Sequence, residues 1–286
     1  MIKGFSLKPK SGHDRFRAEV EFLNYAQMVA SQFVPKLLHA DEVGRSVVLE
    51  YIEGERFKEG RPPSRESVDQ AIAFMQRLNE DYEIAREYVS GGAAEGFLRL
   101  TEHLENIEQR LELMGVEHLP DVSKGEAQRL INAARHQLSM LQDRTEQLIS
   151  QGHCADLLDP DKRCVSPSDF GFHNAIRTST GVKFFDFEFA GWDDPAKVIA
   201  DFDLQPRVPL SPRAHALAEA IKAWDASHFS RHQALAPILE LKWACIILGL
   251  LNPSRWAEMS RIDPIQSLGS ALQAKLRLAE SYLQKD

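Results

Sequence analysis

The chain has 286 residues, 43% of them hydrophobic and 27% charged, which is ample for a globular core. Its net charge of −8 argues against a nucleic-acid partner, which wants a basic face. No N-terminal stretch reads as a signal peptide and no apolar run reads as long enough to span a bilayer, so no membrane is expected. Cys154, Cys164 and Cys245 are odd in number and lack metal-ligand spacing, so reduced thiols and a cytoplasmic setting are expected.

Residues 1–10 alternate as a strand, with Phe5 and Leu7 on one face and Gly4, Ser6 and Lys8 on the other. Small residues ending in a lysine suit a nucleotide cleft, because they leave room for a flat base and bring a charge to phosphates. Lys10 is the reserve candidate. Asp14 is placed to cap a helix in which Phe16, Val20 and Leu23 recur at helical spacing, and which carries Glu19 and Glu21. After a turn over 41–45, the run 46–52 reads as a strand, broken by Glu53-Gly54 and Pro62-Pro63. A lobe boundary is expected near Gly54, giving domains 1–54 and 55–286.

From Ser64 onward the pattern is helical. Val68, Ile72, Met75 and Leu78 form one stripe, and Leu100, Leu104, Ile107, Leu111 and Met114 a second. Beyond a break over 115–125, Ile131, Ala134, Leu138, Leu141 and Leu148 continue, and the last two stripes read as a helical hairpin. Residues from 211 to the end read as helical again, broken at Pro253. These stripes read as core.

The informative segment is 165–192, VSPSDFGFHNAIRTSTGVKFFDFEFAGW. Ser179-Thr180-Gly181 is a turn cluster between two β-prone runs, 174–177 and 182–185. A hairpin folded near Thr180 places Asn174 opposite Asp186, at the roughly 4.5–5.5 Å of a cross-strand pair. Asp169, in the loop before the hairpin, reaches the same pocket as a third acidic or amide group. Two oxygen donors for a hard cation plus a free carboxylate are the equipment of phosphoryl transfer. A metal-dependent hydrolase fits less well, since no His-rich ligand set accompanies them and strand alternation turns His173 away.

The Asp-x4-Asn spacing followed by Asp-Phe-Glu resembles the aminoglycoside phosphotransferase and choline kinase-like small-molecule kinases. The resemblance implies an α+β, protein kinase-like two-lobe fold, with a small β-rich N-lobe and a large, mostly helical C-lobe. It implies ATP and Mg²⁺ as cofactors and a small-molecule hydroxyl acceptor. By position, Asp169 would receive the hydroxyl proton, and Asn174 and Asp186 would hold the metal. Glu188 would add to metal or substrate binding. Lys8 would anchor phosphate and pair with Glu19, Glu21 being the competitor. The backbone of Glu50, Tyr51 and Ile52 would meet the adenine edge. Asp194 and Asp201 both qualify to brace the catalytic loop, and Trp192 and Asp193 would lie near the acceptor. One departure is that Pro167-Ser168 stands where the family usually has His-Gly.

The family's ATP clamp needs two strands and a turn, about 12–15 residues. Only seven residues precede Lys8, so a truncated N-lobe lacking the nucleotide loop is expected. The leading expectation is an ATP/Mg²⁺-dependent phosphotransferase, and the alternative a kinase-like binding protein without turnover. The acidity is concentrated beyond residue 63, with 24 Lys+Arg against 33 Asp+Glu there. It reads as an ordinary acidic surface, or as a field for a cationic acceptor.

Overall fold

A computed structural model describes residues 1–6, 13–210, 226–262 and 265–284. The chain forms two compact units, Met1–Leu98 with Leu158–His232, and Arg99–Leu157 with Gln233–Asp286. Gly54, where a lobe boundary is expected, lies inside the first of these units. Phe22, before Gly54, packs on Phe74 and Phe187 beyond it, so both sides share one core.

In the first unit an antiparallel sheet runs in the order β1 (Ile2–Gly4), β3 (Ser46–Leu49), β2 (Leu37–Asp41). Its turn is tied by Asp41, whose Oδ1 accepts the N–H groups of Val43 and Gly44 at 3.0 and 2.9 Å. Helix α1 (Arg15–Val29) starts where expected, because Asp14 Oδ1 accepts the Arg17 N–H at 3.1 Å and satisfies an orphan donor of the first turn. Ser64 caps α2 (Arg65–Leu78) in the same way, and α3 (Tyr82–Tyr88) follows. Phe74 of α2 is the hub of the core. Its ring meets Phe33 at 5.5 Å, Phe184 at 5.3 Å and Phe170 at 6.0 Å.

Two smaller sheets complete this unit. One runs β4 (Glu55–Arg56), β6 (Ala175–Thr178), β7 (Gly181–Phe184), and the other pairs β5 (Cys164–Ser166) with β8 (Gly191–Asp193). Asn79, just past α2, holds β5 through both backbone groups of Val165, at 2.7 and 3.0 Å. Helix α6 (Pro195–Leu204) follows β8.

The second unit is helical: α4 (Leu100–Glu112), α5 (Asp121–Ser150), the end of α7 (Ala226–Ile247), α8 (Pro253–Met259) and α9 (Ile265–Leu283). The stripes through Leu104 and Leu138 are buried in it as expected, although α5 begins at Asp121 and carries Gly125 through the expected break. The segment His228–Leu251 contains a window of mean hydropathy 1.9, long and apolar enough by composition to cross a membrane, contrary to the sequence reading. Glu240 and Lys242 made the run look short. Of that window 67% is buried inside the protein.

Helix α4 is capped from outside its own segment. Asp156 Oδ1 accepts the Thr101 N–H at 3.0 Å, and its backbone carbonyl accepts that of Leu100 at 3.1 Å. Burial works to raise its pKa but is outweighed by the Thr101 and Arg99 bonds, so it is lowered. A lowered folded-state pKa gives stability above the ordinary carboxylate value that is lost as pH falls through the folded one. Asp156→Asn should therefore cost about 1 kcal/mol at neutral pH, the size of a helix cap, and less in acid, by urea unfolding at both pH values.

Candidate active site

An ion pair of the wrong polarity for a core links β1 to α1. Lys3 shares the strand face of Phe5, whose ring packs edge-on against Phe16 of α1 at 5.7 Å. Its ammonium donates to Glu19 Oε2 at 2.9 Å. Glu19 is in phase with Phe16 and Leu23 and is fully buried. Asp186 also accepts from the Lys3 ammonium, and Glu188 Oε2 lies 3.4 Å away. The other Glu188 oxygen takes Arg15 at 3.0 Å. Burial acts to lower the Lys3 pKa, but the charge of Glu19 and the bonds to Asp186 and Glu19 outweigh it, so it is raised. Glu19 is pushed up, chiefly by burial, with Lys3 opposing. Lys8 and Lys10 lie outside the described residues, and the lysine that meets Glu19 is Lys3.

The loop leaving β5 presents Asp169. Ser168 takes a left-handed conformation, φ 64°, where the resemblance has glycine, and its N–H is held by Ser166 Oγ at 2.9 Å. Asp169 is 44% exposed, with both oxygens steadied. Oδ1 lies 3.0 Å from His173 Nε2, and Oδ2 accepts from Asn174 Nδ2 at 3.2 Å. Burial works to raise the Asp169 pKa, but the His173 bond and charge, the Asn174 bond and the Arg207 charge outweigh it and hold the carboxyl below its ordinary value.

His173 is a correction to the sequence reading. Residues Phe172–Asn174 form a 3₁₀ turn, so two-residue alternation starts only at Ala175 and the ring swings to Asp169. It fits because residue 171 is glycine: a Cβ there would come within 2.8 Å of His173 Nδ1.

The hairpin register also differs by one. Thr178 pairs with Gly181 and Ala175 with Phe184, closing the turn through Ser179 and Thr180 alone. Asn174 therefore falls opposite Phe185, whose N–H bonds its carbonyl at 3.0 Å, not opposite Asp186. In a continuous strand that slip would turn Asp186 to the other face. Asp186 instead leaves strand geometry at φ 70°, and this left-handed residue aims its carboxylate at Lys3. Phe187 is buried beside it, 4.6 Å from the Phe22 ring.

Neither a protein-family model nor a curated protein matches the chain. Solved structures do. A choline/ethanolamine kinase family protein from Mesorhizobium loti superposes with TM-score 0.53 and 17% identity, over 94% of this chain and 80% of that one. Choline kinase LicA from Streptococcus pneumoniae gives TM-score 0.54 and 15% identity, over 99% and 84%. The GDP complex of aminoglycoside 2′-phosphotransferase-IIIa gives 0.55 and 13%, over 96% and 84%. The chain has the protein kinase-like fold of these small-molecule kinases. Identities this low establish the fold, and the chemistry has to be argued from this chain's residues.

In this kinase-like fold, Glu50, Tyr51 and Ile52 follow β3. The Glu50 N–H is taken by the Lys36 carbonyl at 2.8 Å. Its carboxylate accepts the Lys36 N–H and Lys183 Nζ, both at 3.2 Å, which holds its pKa below the ordinary value, the Lys36 bond first. Among the described residues nothing bonds the backbone of Tyr51 or Ile52.

Asp194 closes its own helix, accepting the Ala196 N–H at 2.9 Å and Arg231 Nε at 2.5 Å. Asp201 meets Lys197 at 3.3 Å, and Lys197 also holds Asp193 at 2.8 Å. Trp192 is buried and donates its indole N–H to the Val89 carbonyl at 2.7 Å, so it packs.

Among the described residues no group of three or more His, Cys, Asp and Glu forms a metal cage. Mg²⁺ needs none: it takes one or two protein oxygens and completes its shell with phosphate and water. The oxygens of Asn174 and Asp186 are donors of that hard type, so the residues fit such an ion.

Proposed function

We propose that this chain is an ATP- and Mg²⁺-dependent phosphotransferase, acting in the cytoplasm, that moves the γ-phosphate to a hydroxyl of a small molecule. The observation that carries the reading is the convergence of Lys3, Glu19 and Asp186, together with the Asp169–Asn174 couple at the foot of the hairpin that ends in Asp186. The names of the structural neighbours support the same reaction class.

Bound ATP and Mg²⁺ supply the transferable phosphoryl group and offset its charge. Asn174 and Asp186 would hold the cation, with Glu188 adding a further carboxylate. Lys3 would pair with phosphate oxygens, oriented by Glu19. Tyr51 and Ile52 would meet the base through their backbone. Asp169 would orient the acceptor hydroxyl and take its proton on a carboxylate that His173 and Asn174 keep in place. Phosphoryl transfer asks mainly for positioning, so a carboxylate of low basicity suffices.

Mg·ATP at about 100 times its dissociation constant should stabilise the wild type by about 2.7 kcal/mol, read as a thermal shift. Asp186→Ala should abolish that shift. A panel of hydroxylated metabolites assayed for ATP consumption and phosphorylated product then finds the acceptor. The absence of any Mg·ATP shift would sink this reading, and binding with no phosphorylated product would leave the kinase-like binding protein.

A further inference from the structure

A basic pocket is built on the same hairpin, from residues other than those assigned to the nucleotide, the metal and the proton transfer. It holds about 290 Å³ and is lined by Glu55, Arg56, Phe57, Lys58, Arg61, Pro62 and Arg177. Four of these are cations and one is a carboxylate, in a chain that is acidic overall. No carboxylate among the described residues pairs with any of the four. Glu55 lines the pocket without an ion pair to any of them, and Glu59 of the same loop is drawn off by Arg207 at 2.6 and 2.8 Å.

The geometry is fixed rather than adventitious. The Arg56 guanidinium lies over the Phe185 ring at 5.3 Å and that of Arg177 over Phe57 at 4.9 Å, so both planar groups are pre-oriented. Phe57 packs on Phe172 of the catalytic-loop turn at 4.9 Å. At Gly54, φ 155°, a Cβ would stand 2.2 Å from the Arg177 carbonyl, so only glycine lets the chain pass this close to β6. The Gly60 N–H is anchored on the Arg207 carbonyl at 2.8 Å.

We propose that this pocket binds the phosphate or carboxylate group of an anionic acceptor. The identity of the ligand as acceptor rests on the phosphotransferase reading; the anion site itself does not. Uncompensated arginines in a forked, stacked arrangement match the oxygens of such a group. The pocket volume accommodates it with a few further atoms, near the small end of ligand sites at roughly 300 Å³. Arg177 stands three residues beyond Asn174, at most roughly 10 Å along the chain, and Arg56 stacks on the residue before Asp186. The pocket therefore adjoins the strand that leaves the Asp169–Asn174 couple, and the hydroxyl of the bound anion would lie on the Asp169 side. The acceptor would carry the opposite charge to the choline, ethanolamine and aminoglycosides in the neighbours' names.

The test titrates inorganic phosphate into the full chain by calorimetry, with and without saturating Mg·AMP-PNP. Anionic, neutral and cationic hydroxylated metabolites are then assayed for ATP consumption. Phosphate should bind the wild type alone and alongside the nucleotide, and Arg177→Gln and Lys58→Gln should each weaken it about tenfold, as the loss of a charge-assisted contact does. Lys58 is exposed and stacks on nothing, so its variant folds even where Arg177→Gln proves unstable. Anionic acceptors should turn over, with KM raised about tenfold in both variants and kcat within about twofold, the signature of lost uniform binding. Absence of phosphate binding, affinity unchanged in both variants, or displacement of phosphate by the nucleotide would each overturn the proposal. So would turnover of cationic acceptors only. Phosphate binding without any Mg·AMP-PNP binding would uphold the anion site and sink the phosphotransferase reading instead.

Discussion

Lys3→Met should destabilise the protein by about 3 kcal/mol, the lower end of the loss expected when one partner of a buried ion pair is removed. Glu19 has no exposed surface, so without Lys3 its carboxylate is desolvated and uncompensated. The lower end applies because Lys3 itself is 21% exposed and shares its charge with Asp186 and Glu188. Adding Glu19→Gln to the variant should recover part of the loss, because it removes the stranded charge. The Mg·ATP thermal shift should stay absent in both, because the phosphate partner is gone. The pH dependence is a second check. The cost should shrink in acid, where Glu19 takes a proton and needs no partner. Between that acid limb and the ordinary lysine value of 10.5 the Lys3 contribution is complete, and because its pKa is raised it is lost as pH rises through the folded one. Urea midpoints at constant m-value read all of this. A Lys3→Met variant as stable as the wild type would show that the pair carries nothing.

The Lys3–Glu19 pair also shows what was legible in the sequence. The helix, its Asp14 cap and Glu19 followed from spacing and capping chemistry, which are local. The choice of Lys8 followed from a sound argument about a small-residue face. A different signal pointed to Lys3: it shares the parity of Phe5, so a charge there sits on the apolar face and demands a buried partner. Glu19 interrupts the apolar stripe of its helix in the same way. Two residues of wrong polarity, each in phase with a core, predict one another, and neither is informative alone. Asp169, Asn174 and Asp186 were legible as a set because their spacing spans one hairpin. Their relative placement was not, since a one-residue difference in turn length moves the register and a left-handed Asp186 then re-aims its side chain. His173 was missed because a 3₁₀ turn breaks the alternation assumed for it. The asymmetry is physical. Helices and caps are decided within a turn of chain, whereas loop conformations are decided by the tertiary bonds that hold them.

Asp169→Asn should lower kcat by about 10²–10⁴-fold, the usual contribution of a positioned proton acceptor, while the Mg·ATP thermal shift is unchanged. The amide keeps the shape of the carboxylate and one acceptor oxygen for His173 Nε2; the bond from Asn174 Nδ2 to the side chain is lost, but that group keeps its 3.1 Å bond to the residue 169 carbonyl, so the loop should hold its conformation. What is lost is the charge that draws in the hydroxyl proton. Because His173, Asn174 and Arg207 together hold the Asp169 carboxyl below its ordinary value, the wild-type acid limb of kcat/KM should fall below about pH 4. The same lowered pKa gives stability above the ordinary value that disappears as pH falls through the folded one, so Asp169→Asn should also flatten the acid limb of the stability profile. Asp186→Ala gives the complementary pattern, losing the nucleotide shift itself. Phosphorylated product that persists undiminished in Asp169→Asn would remove Asp169 from the chemistry. Unchanged nucleotide binding with a collapsed kcat separates the proton acceptor from the residues that hold the phosphates, a separation that a purely structural role for Asp169 would not produce.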